Sequence, residues 1–323
     1  MKRSGNGDRS QVREASSTRR RVGGNGFVIY GVPDGEYGAI ASQQGVSTDA
    51  ESNRGMSTPR RVTVKGNDVT GVELRLVGLG AIDGRLVVEK FDAPPTCQIK
   101  RRGAVEETLL AARREEKETR LNRFTFAEAL PDEKGEFGMR ALAAGLYRIN
   151  PQLSSDHWYV KAMTLPAATP AKPPTPRAAT SKVAAINAAM GVTVKSNEKL
   201  TGLMITLAEG AAGVSGRVTG EKLPSRLRVH LIPAEKEVAD DVLRYYEIMS
   251  RDSSFALSHL APGKYWLLAR AIPEDESEEK LSTPVAWDAN ARAKLRRDAE
   301  ATNQAVDLTT CQRAKDVAVR LAK

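Results

Sequence analysis

The sequence predicts an all-β protein of tandem antiparallel Greek-key β-sandwich modules, with one or two short helical inserts. Three observations predict it. One segment occurs three times, a second block follows two of its copies closely, and short apolar runs alternate with turn signals throughout.

The first repeat opens the argument. Residues 27–37 read FVIYGVPDGEY, residues 137–147 FGMRALAAGLY and residues 255–265 FALSHLAPGKY. Each copy opens on Phe and has an aliphatic residue at Val32, Leu142 or Leu260. Each then has Gly35, Gly145 or Gly263, followed by Tyr37, Tyr147 or Tyr265. The pattern describes a strand, a turn and a strand. The three glycines supply a backbone shape that other residues resist, and we expect positive φ or a close backbone approach there. The three tyrosines are expected to anchor the turn and pack inward.

The second block spans residues 62–87 and again 192–218. Both copies contain VTVK, a polar turn, a glycine and an alternating strand. Both end in Gly-Arg and an aliphatic strand, at Gly84-Arg85 and Gly216-Arg217, so one module runs almost directly into the next. A weaker third copy closes the chain at residues 305–308 and 316–321. A looser element, EETLLAARRE at 106–115 and RLRVHLIPAE at 226–235, reads as a strand. Its first copy is also compatible with a helix, because Ala, Leu, Arg and Glu are good helix formers.

Four regions follow. Residues 1–26 form a disordered basic tail, and 27–79 a module that lacks its opening strands. Residues 80–209 form a second module with a Pro/Ala-rich loop at 165–190. Residues 210–323 form a third, with a helical insert at 289–303 and a second helix candidate at 237–247.

Composition narrows the function. With 41% hydrophobic and 28% charged residues in 323, and a mean hydropathy of −0.40, the chain can build cores but holds no membrane-spanning apolar run. The net charge of +9 suggests nucleic acid, but residues 1–26 hold seven Lys/Arg against two acids. No aromatics interleave them for base stacking, so no nucleic-acid partner is expected. No apolar run follows those basic residues, so the start is not a secretory signal peptide. A fragment of a longer chain would account for that and for the missing strands, and the expected location is the cell envelope. Cys97 and Cys311 fall in different modules and form no metal-binding pattern. They read as two separately buried thiols, or as a disulfide in an oxidising compartment.

The PDGEY, PGKY and Gly-Arg-strand pattern resembles the carboxypeptidase regulatory-like domain, over nearly the whole chain beyond the tail. The resemblance implies a prealbumin-like, Ig-like or carbohydrate-binding-like sandwich and no peptidase activity. It further implies an interaction module of the cell envelope, with a polysaccharide or another envelope protein as partner. Ala144 stands where that pattern has proline.

Catalytic chemistry finds no foothold. The three histidines, His157, His230 and His259, sit apart, and no GxSxG, HExxH or P-loop pattern occurs. The acidic run at 273–280 reads as a solvated loop. No catalytic residue, metal site or cofactor is expected, and the chain is not an enzyme on this reading. Sugar faces stack on aromatics, which makes Trp266, Trp287, Trp158 and Tyr159 the candidates for glycan stacking. Each has burial as its competing role. The second functional reading is a structural spacer or stalk of a larger surface or outer-membrane protein.

Overall fold

The computed structural model describes residues 18–20, 26–42, 55–89, 97, 103–115, 126–166, 185–250, 252–276 and 284–322. Strands dominate them, and two complete sandwiches account for most.

The first complete sandwich begins with β7 (Gly80–Glu89) and β8 (Leu109–Arg114), and continues through β9 (Phe126–Ala129), β10 (Glu136–Leu142) and β11 (Gly145–Gln152). It ends with β12 (Trp158–Pro166), β13 (Ala185–Asn187), β14 (Val192–Val194) and β15 (Lys199–Glu209). One sheet has the order β10-β7-β15-β12-β13, the other β14-β11-β8-β9. Inward alternation gives a core of Ile82, Leu86, Leu110, Met139, Tyr147, Trp158, Leu203, Ile205 and Leu207.

The second uses β16 (Ala212–Thr219), β17 (Leu227–Pro233), β18 (Tyr246–Ser250), β19 (Ser254–Leu260), β20 (Gly263–Ala271), β21 (Ala305–Leu308) and β22 (Arg313–Arg320). Its sheets run β19-β16-β22 and β18-β17-β20-β21. A helix, α1 (Ala289–Thr302), lies on the outer face of the second sheet. There Leu295 and Ala299 meet Ile232 and Leu268. That cover explains why all seven residues of β17 are buried. Asp288 caps α1 by accepting from the Ala291 amide at 2.7 Å, and Asn303 closes it in the left-handed conformation.

Upstream lie shorter pieces: β1 (Thr18–Arg20) with β2 (Phe27–Ile29), β3 (Gly35–Ala39) with β5 (Arg60–Val64), and β4 (Gly55–Ser57) with β6 (Leu76–Gly78).

The repeats in the sequence are repeats of backbone geometry. Tyr37, Tyr147 and Tyr265 each donate a phenolic hydrogen bond to the carbonyl four residues upstream: Pro33 at 2.7 Å, Ala143 at 2.8 Å and Ala261 at 2.6 Å. This is the tyrosine corner of sandwich folds. The partner glycines have φ of 157°, 159° and 151° at 35, 145 and 263, a region nearly closed to other residues. Four residues after each Phe the backbone takes positive φ, at Gly31, Ala141 and His259, and the ladder register shifts at the last two. Positive φ recurs at Gly71, Gly202 and Asp316, and the last two form a second bulge in their ladders. The Gly-Arg glycines serve that second bulge. A Cβ on Gly84 would lie 2.4 Å from the Leu203 carbonyl oxygen, and one on Gly216 1.8 Å from that of Val317. Across the sheet, Phe137 pairs with Gly84 and Phe255 with Gly216, so each ring covers a missing side chain.

Several expectations change. The sheets are not wholly antiparallel, because β7 lies parallel to β15 and β16 parallel to β22. Part of the expected tail is a strand: Arg20 pairs with Phe27 and Thr18 with Ile29, and the rest of 1–25 lies outside the described residues. Both ends of the Pro/Ala-rich segment are also strand, with Thr164 opposite Asn187, while 167–184 lie outside the described residues. The second helix candidate is a 3-10 turn at Val242–Arg244 followed by β18, because the exposed edge of β17 takes Tyr246–Ser250 as its partner. EETLLAARRE contains β8, since Leu110 and Ala112 face the core.

The corner predicts a stability test. Gly263→Val should cost about 1–3 kcal/mol through backbone strain. Tyr265→Phe should cost about 1–2 kcal/mol by stranding a buried carbonyl. Chemical denaturation of both variants reads the two losses, and unchanged midpoints would contradict the corner.

Candidate functional site

The residues with unusual environments gather where the two complete sandwiches meet. The linker Gly210-Ala211 is buried, and Ala211 is fully enclosed. Its amide donates to the His157 carbonyl at 2.9 Å, and its neighbour Gly210 accepts from the Cys311 amide at 3.0 Å. Gly213 donates to the Gln312 carbonyl at 2.8 Å. The turn before the last strand thus clasps the linker that opens the same sandwich. The preceding junction repeats the device: Asn197 donates to Gly78 at 3.2 Å and Ala81 to Glu198 at 2.8 Å.

Side chains add to this clasp. The His259 ring nitrogen Nδ1 lies 3.0 Å from the Trp158 carbonyl, and Arg313 donates to the Asp156 carbonyl at 2.7 Å. Arg148, from the first sandwich, stacks its guanidinium 4.7 Å from the centre of the Trp287 ring and pairs with Glu115 at 2.8 Å. It also donates to the Met190 carbonyl. Arg292, from α1, lies 3.7 Å from the Met190 sulfur and donates to the Ala286 carbonyl at 2.7 Å.

Cys97 and Cys311 form a disulfide across this junction, with Cα atoms 5.3 Å apart. This corrects the reading as separate thiols. Distance in sequence, 214 residues, concealed it. Cys311 occupies the left-handed turn position that Asn197 holds one module earlier, and that turn lies against the linker.

The four glycan-stacking candidates do not form a platform. Trp158 is 3% exposed within the core, which leaves no face for a sugar. Trp266 packs under α1 with Arg296 stacked 5.2 Å from its centre, and Trp287 is covered by Arg148. Tyr159, Trp266 and Trp287 are all half-buried, and Tyr159 lies on the outward side of β12. The turn residues fare differently, with Tyr147 and Tyr265 fully buried and Tyr37 half-buried. Burial raises the Tyr265 hydroxyl to about 12. Tyr246 meets it edge-on at 6.4 Å and accepts from the Ala261 amide at 3.0 Å, so two tyrosines grip one corner residue.

No protein-family profile matches the chain. No curated protein does either. Several solved structures align with it. The Bacillus anthracis TIE protein covers 91% of this chain and 44% of its own at 8% identity, with a TM-score of 0.23. A streptococcal ancillary pilin covers 73% and 66% at 12% identity and 0.23. GBS52, the minor pilin of Streptococcus agalactiae, covers 74% and 94% at 9% identity and 0.22. The chain therefore spans under half the length of the Bacillus protein. Likeness this slight carries no argument about function, and the sandwich architecture rests on the strand ladders.

Among the described residues no cluster of His, Cys, Asp and Glu is placed to hold a metal, and no helix is long and apolar enough to cross a membrane. A cleft of about 710 Å³ opens over β10, β7 and β15, lined by Asp83, Arg85, Asp132, Arg140 and Met204. Asp83 there pairs with Arg140 and, at 3.2 Å, with Lys199, Arg85 donates to the Lys134 carbonyl at 3.0 Å, and Asp132 accepts from the Lys134 and Glu136 amides at 2.9 and 2.8 Å.

Sequence reasoning missed one buried polar cluster, because Glu247 falls in a segment that reads as a helix and the structure pairs it with β17 as a strand. His230, 2% exposed on β17, contacts Glu247 at 3.3 Å. The same carboxylate lies 3.6 Å from Arg228 and accepts from the Val285 amide at 3.2 Å. Desolvation lowers the His230 pKa below its usual 6.5, partly opposed by Glu247 and reinforced by Arg270 and Arg228. The folded protein therefore keeps this ring neutral where the unfolded chain takes a proton. Stability contributed by His230 is present above about pH 6.5 and is lost as pH falls below it. The loss should reach up to about 1.4 kcal/mol per pH unit. His230→Gln should flatten that slope between pH 7.5 and 5.5 in urea denaturation. An identical slope in the variant would remove His230 as its source.

Proposed function

We propose that this chain is a non-catalytic spacer of the cell surface, in which sandwiches join end to end into a stiff stalk. The observation that carries the proposal is the locked junction: a buried linker, a repeated clasp, an Arg-Trp stack and a disulfide. A hinge between independent binding modules needs few crossing contacts. This junction has the opposite character.

The strand directions support the same reading. Parallel first and last strands make the chain enter a sandwich at one end and leave at the other. With β15 at 11 residues, each sandwich advances the stalk by roughly 35 Å. A disulfide persists in oxidising compartments, which supports a location outside the cytoplasm. The threefold tyrosine corner supports kinship with the carboxypeptidase regulatory-like domain at the level of the sandwich. A polysaccharide partner is the second reading. Among the stacking candidates it is favoured only by Tyr159, the half-buried candidate with no arginine stacked on its ring among the described residues.

Thiol titration and calorimetry test the spacer. In guanidinium without reductant neither cysteine should react, and after reduction both should. The intact chain should unfold its two complete sandwiches in one transition. Cys311→Ser should lower stability by about 2–5 kcal/mol, and small-angle scattering should show a broader distribution of lengths. Two separate transitions in the intact chain, with scattering unchanged by the variant, would refute a locked stalk.

A further inference from the structure

The two complete sandwiches share a strand order but not a charge pattern. In the first, strands β10, β7 and β15 carry Arg85, Arg140 and Lys199 against Asp83, Glu89, Glu136 and Glu209. Much of that charge is neutralised in place: Asp83 pairs with Arg140 and Lys199, and Glu89 with Lys161 of β12. In the second, the matching strands β19, β16 and β22 carry Arg217, Arg313, Lys315 and Arg320 against Asp316 alone. One fold thus presents a balanced sheet face in one module and a basic face in the next.

The register sets three of these cations in a row. Val214, Val218, Phe255 and Val319 point into the core, which turns their neighbours outward. Arg217 lies between Ser254 and Ala318 across the sheet, and Arg320 is opposite Thr219. Lys315 follows Ala314, the partner of Val214, which puts it level with Ser215. Ser215, Arg217 and Thr219 are successive outward steps, about 7 Å apart along the strand. All three cations are exposed, and none meets a carboxylate among the described residues. Asp316 takes the bulge position beside Lys315 without pairing with it. Asp252, at the nearby hairpin, is engaged by the Ser254 amide at 3.1 Å and its hydroxyl at 2.7 Å. Arg313 is turned to the Asp156 carbonyl at the junction. Around the three cations the surface is low, because Ser254, Ala256, Ser258 and Ala318 are small and exposed.

Unpaired like charges side by side repel one another, and a polyanion laid along them removes that repulsion. We propose that the outer face of β19-β16-β22 binds an acidic polysaccharide, which runs along β16 with its acid groups on Lys315, Arg217 and Arg320. Ser215 and Ser258 offer hydroxyls to the sugars between those groups. Single-stranded nucleic acid fits this face less well. The three strands hold one aromatic residue, Phe255, and it faces the core, so no ring is left to stack on a base. The proposal adds a contact surface to the flank of the spacer and does not rest on the locked junction.

The test titrates a heparin decasaccharide and an oligogalacturonate into the full chain by calorimetry, with dextran and oligothymidine for comparison. At least one acidic saccharide should bind, and more weakly as salt rises. The variant Arg217→Gln/Lys315→Gln/Arg320→Gln, on exposed side chains, should keep the melting temperature. It should weaken binding about tenfold or more and lower the slope of log K against log salt by about two to three. Arg61→Gln/Lys65→Gln/Arg75→Gln removes the same charge elsewhere and should leave the affinity unchanged. On the unmodified chain, the saccharide should slow acetylation of Lys315 and not of Lys65. Failure of both acidic saccharides to bind, equal losses in the two variants or an unprotected Lys315 would overturn the proposal. So would tighter binding of oligothymidine, because the partner would then be a nucleic acid. If the triple variant on β16 and β22 unfolds, the acetylation pattern of the unmodified chain decides alone.

Discussion

The parallel pairing of first and last strands is the constraint on which the rest depends. In each complete sandwich the entering strand, β7 or β16, lies beside the leaving strand, β15 or β22. Adjacent antiparallel termini would return the chain to its starting end. Parallel termini carry it across, so the next module begins where the last one stops. Pairing them requires a close approach, because the leaving strand bulges toward its neighbour at Gly202 or Asp316. Gly84 and Gly216 provide that room, and Phe137 and Phe255 fill the remaining space. The separate motifs of the sequence are parts of one arrangement.

The junctions follow from it. A short linker between parallel strands leaves backbone groups that need partners away from water. The turn before the last strand supplies them, at Asn197 and Glu198 in one case and Cys311 and Gln312 in the other. The later junction gains what the earlier one lacks among the described residues: a disulfide, an Arg-Trp stack and a histidine held in the left-handed region. His259 occupies a conformation that Gly31 takes without strain, and its ring contact with Trp158 offsets that cost. Aromatic residues that look suited to a ligand are used to build the protein.

The sequence by itself determined the class of fold and the position of the corners. Phe, Gly and Tyr at fixed spacing describe a local event, a strand reversing through a glycine and anchored four residues back. Local geometry of that kind is written in neighbouring residues, so Gly35, Gly145, Gly263 and their tyrosines were legible. Only the tertiary structure decided which strands lie side by side, because parallel pairing joins segments a hundred residues or more apart. The same distance hid the Cys97–Cys311 bridge, while the His230, Glu247 and Arg228 cluster was hidden because residues 237–247 read as a helix and not as the approach to a strand paired with β17. The tertiary structure also decided the tryptophans. Trp266 departs from the repeat, which marks it as special, but only the packing of α1 shows that it fills space beneath a helix. A sequence records what a residue is. Whether its face meets solvent, a sugar or an arginine depends on which distant segment folds over it.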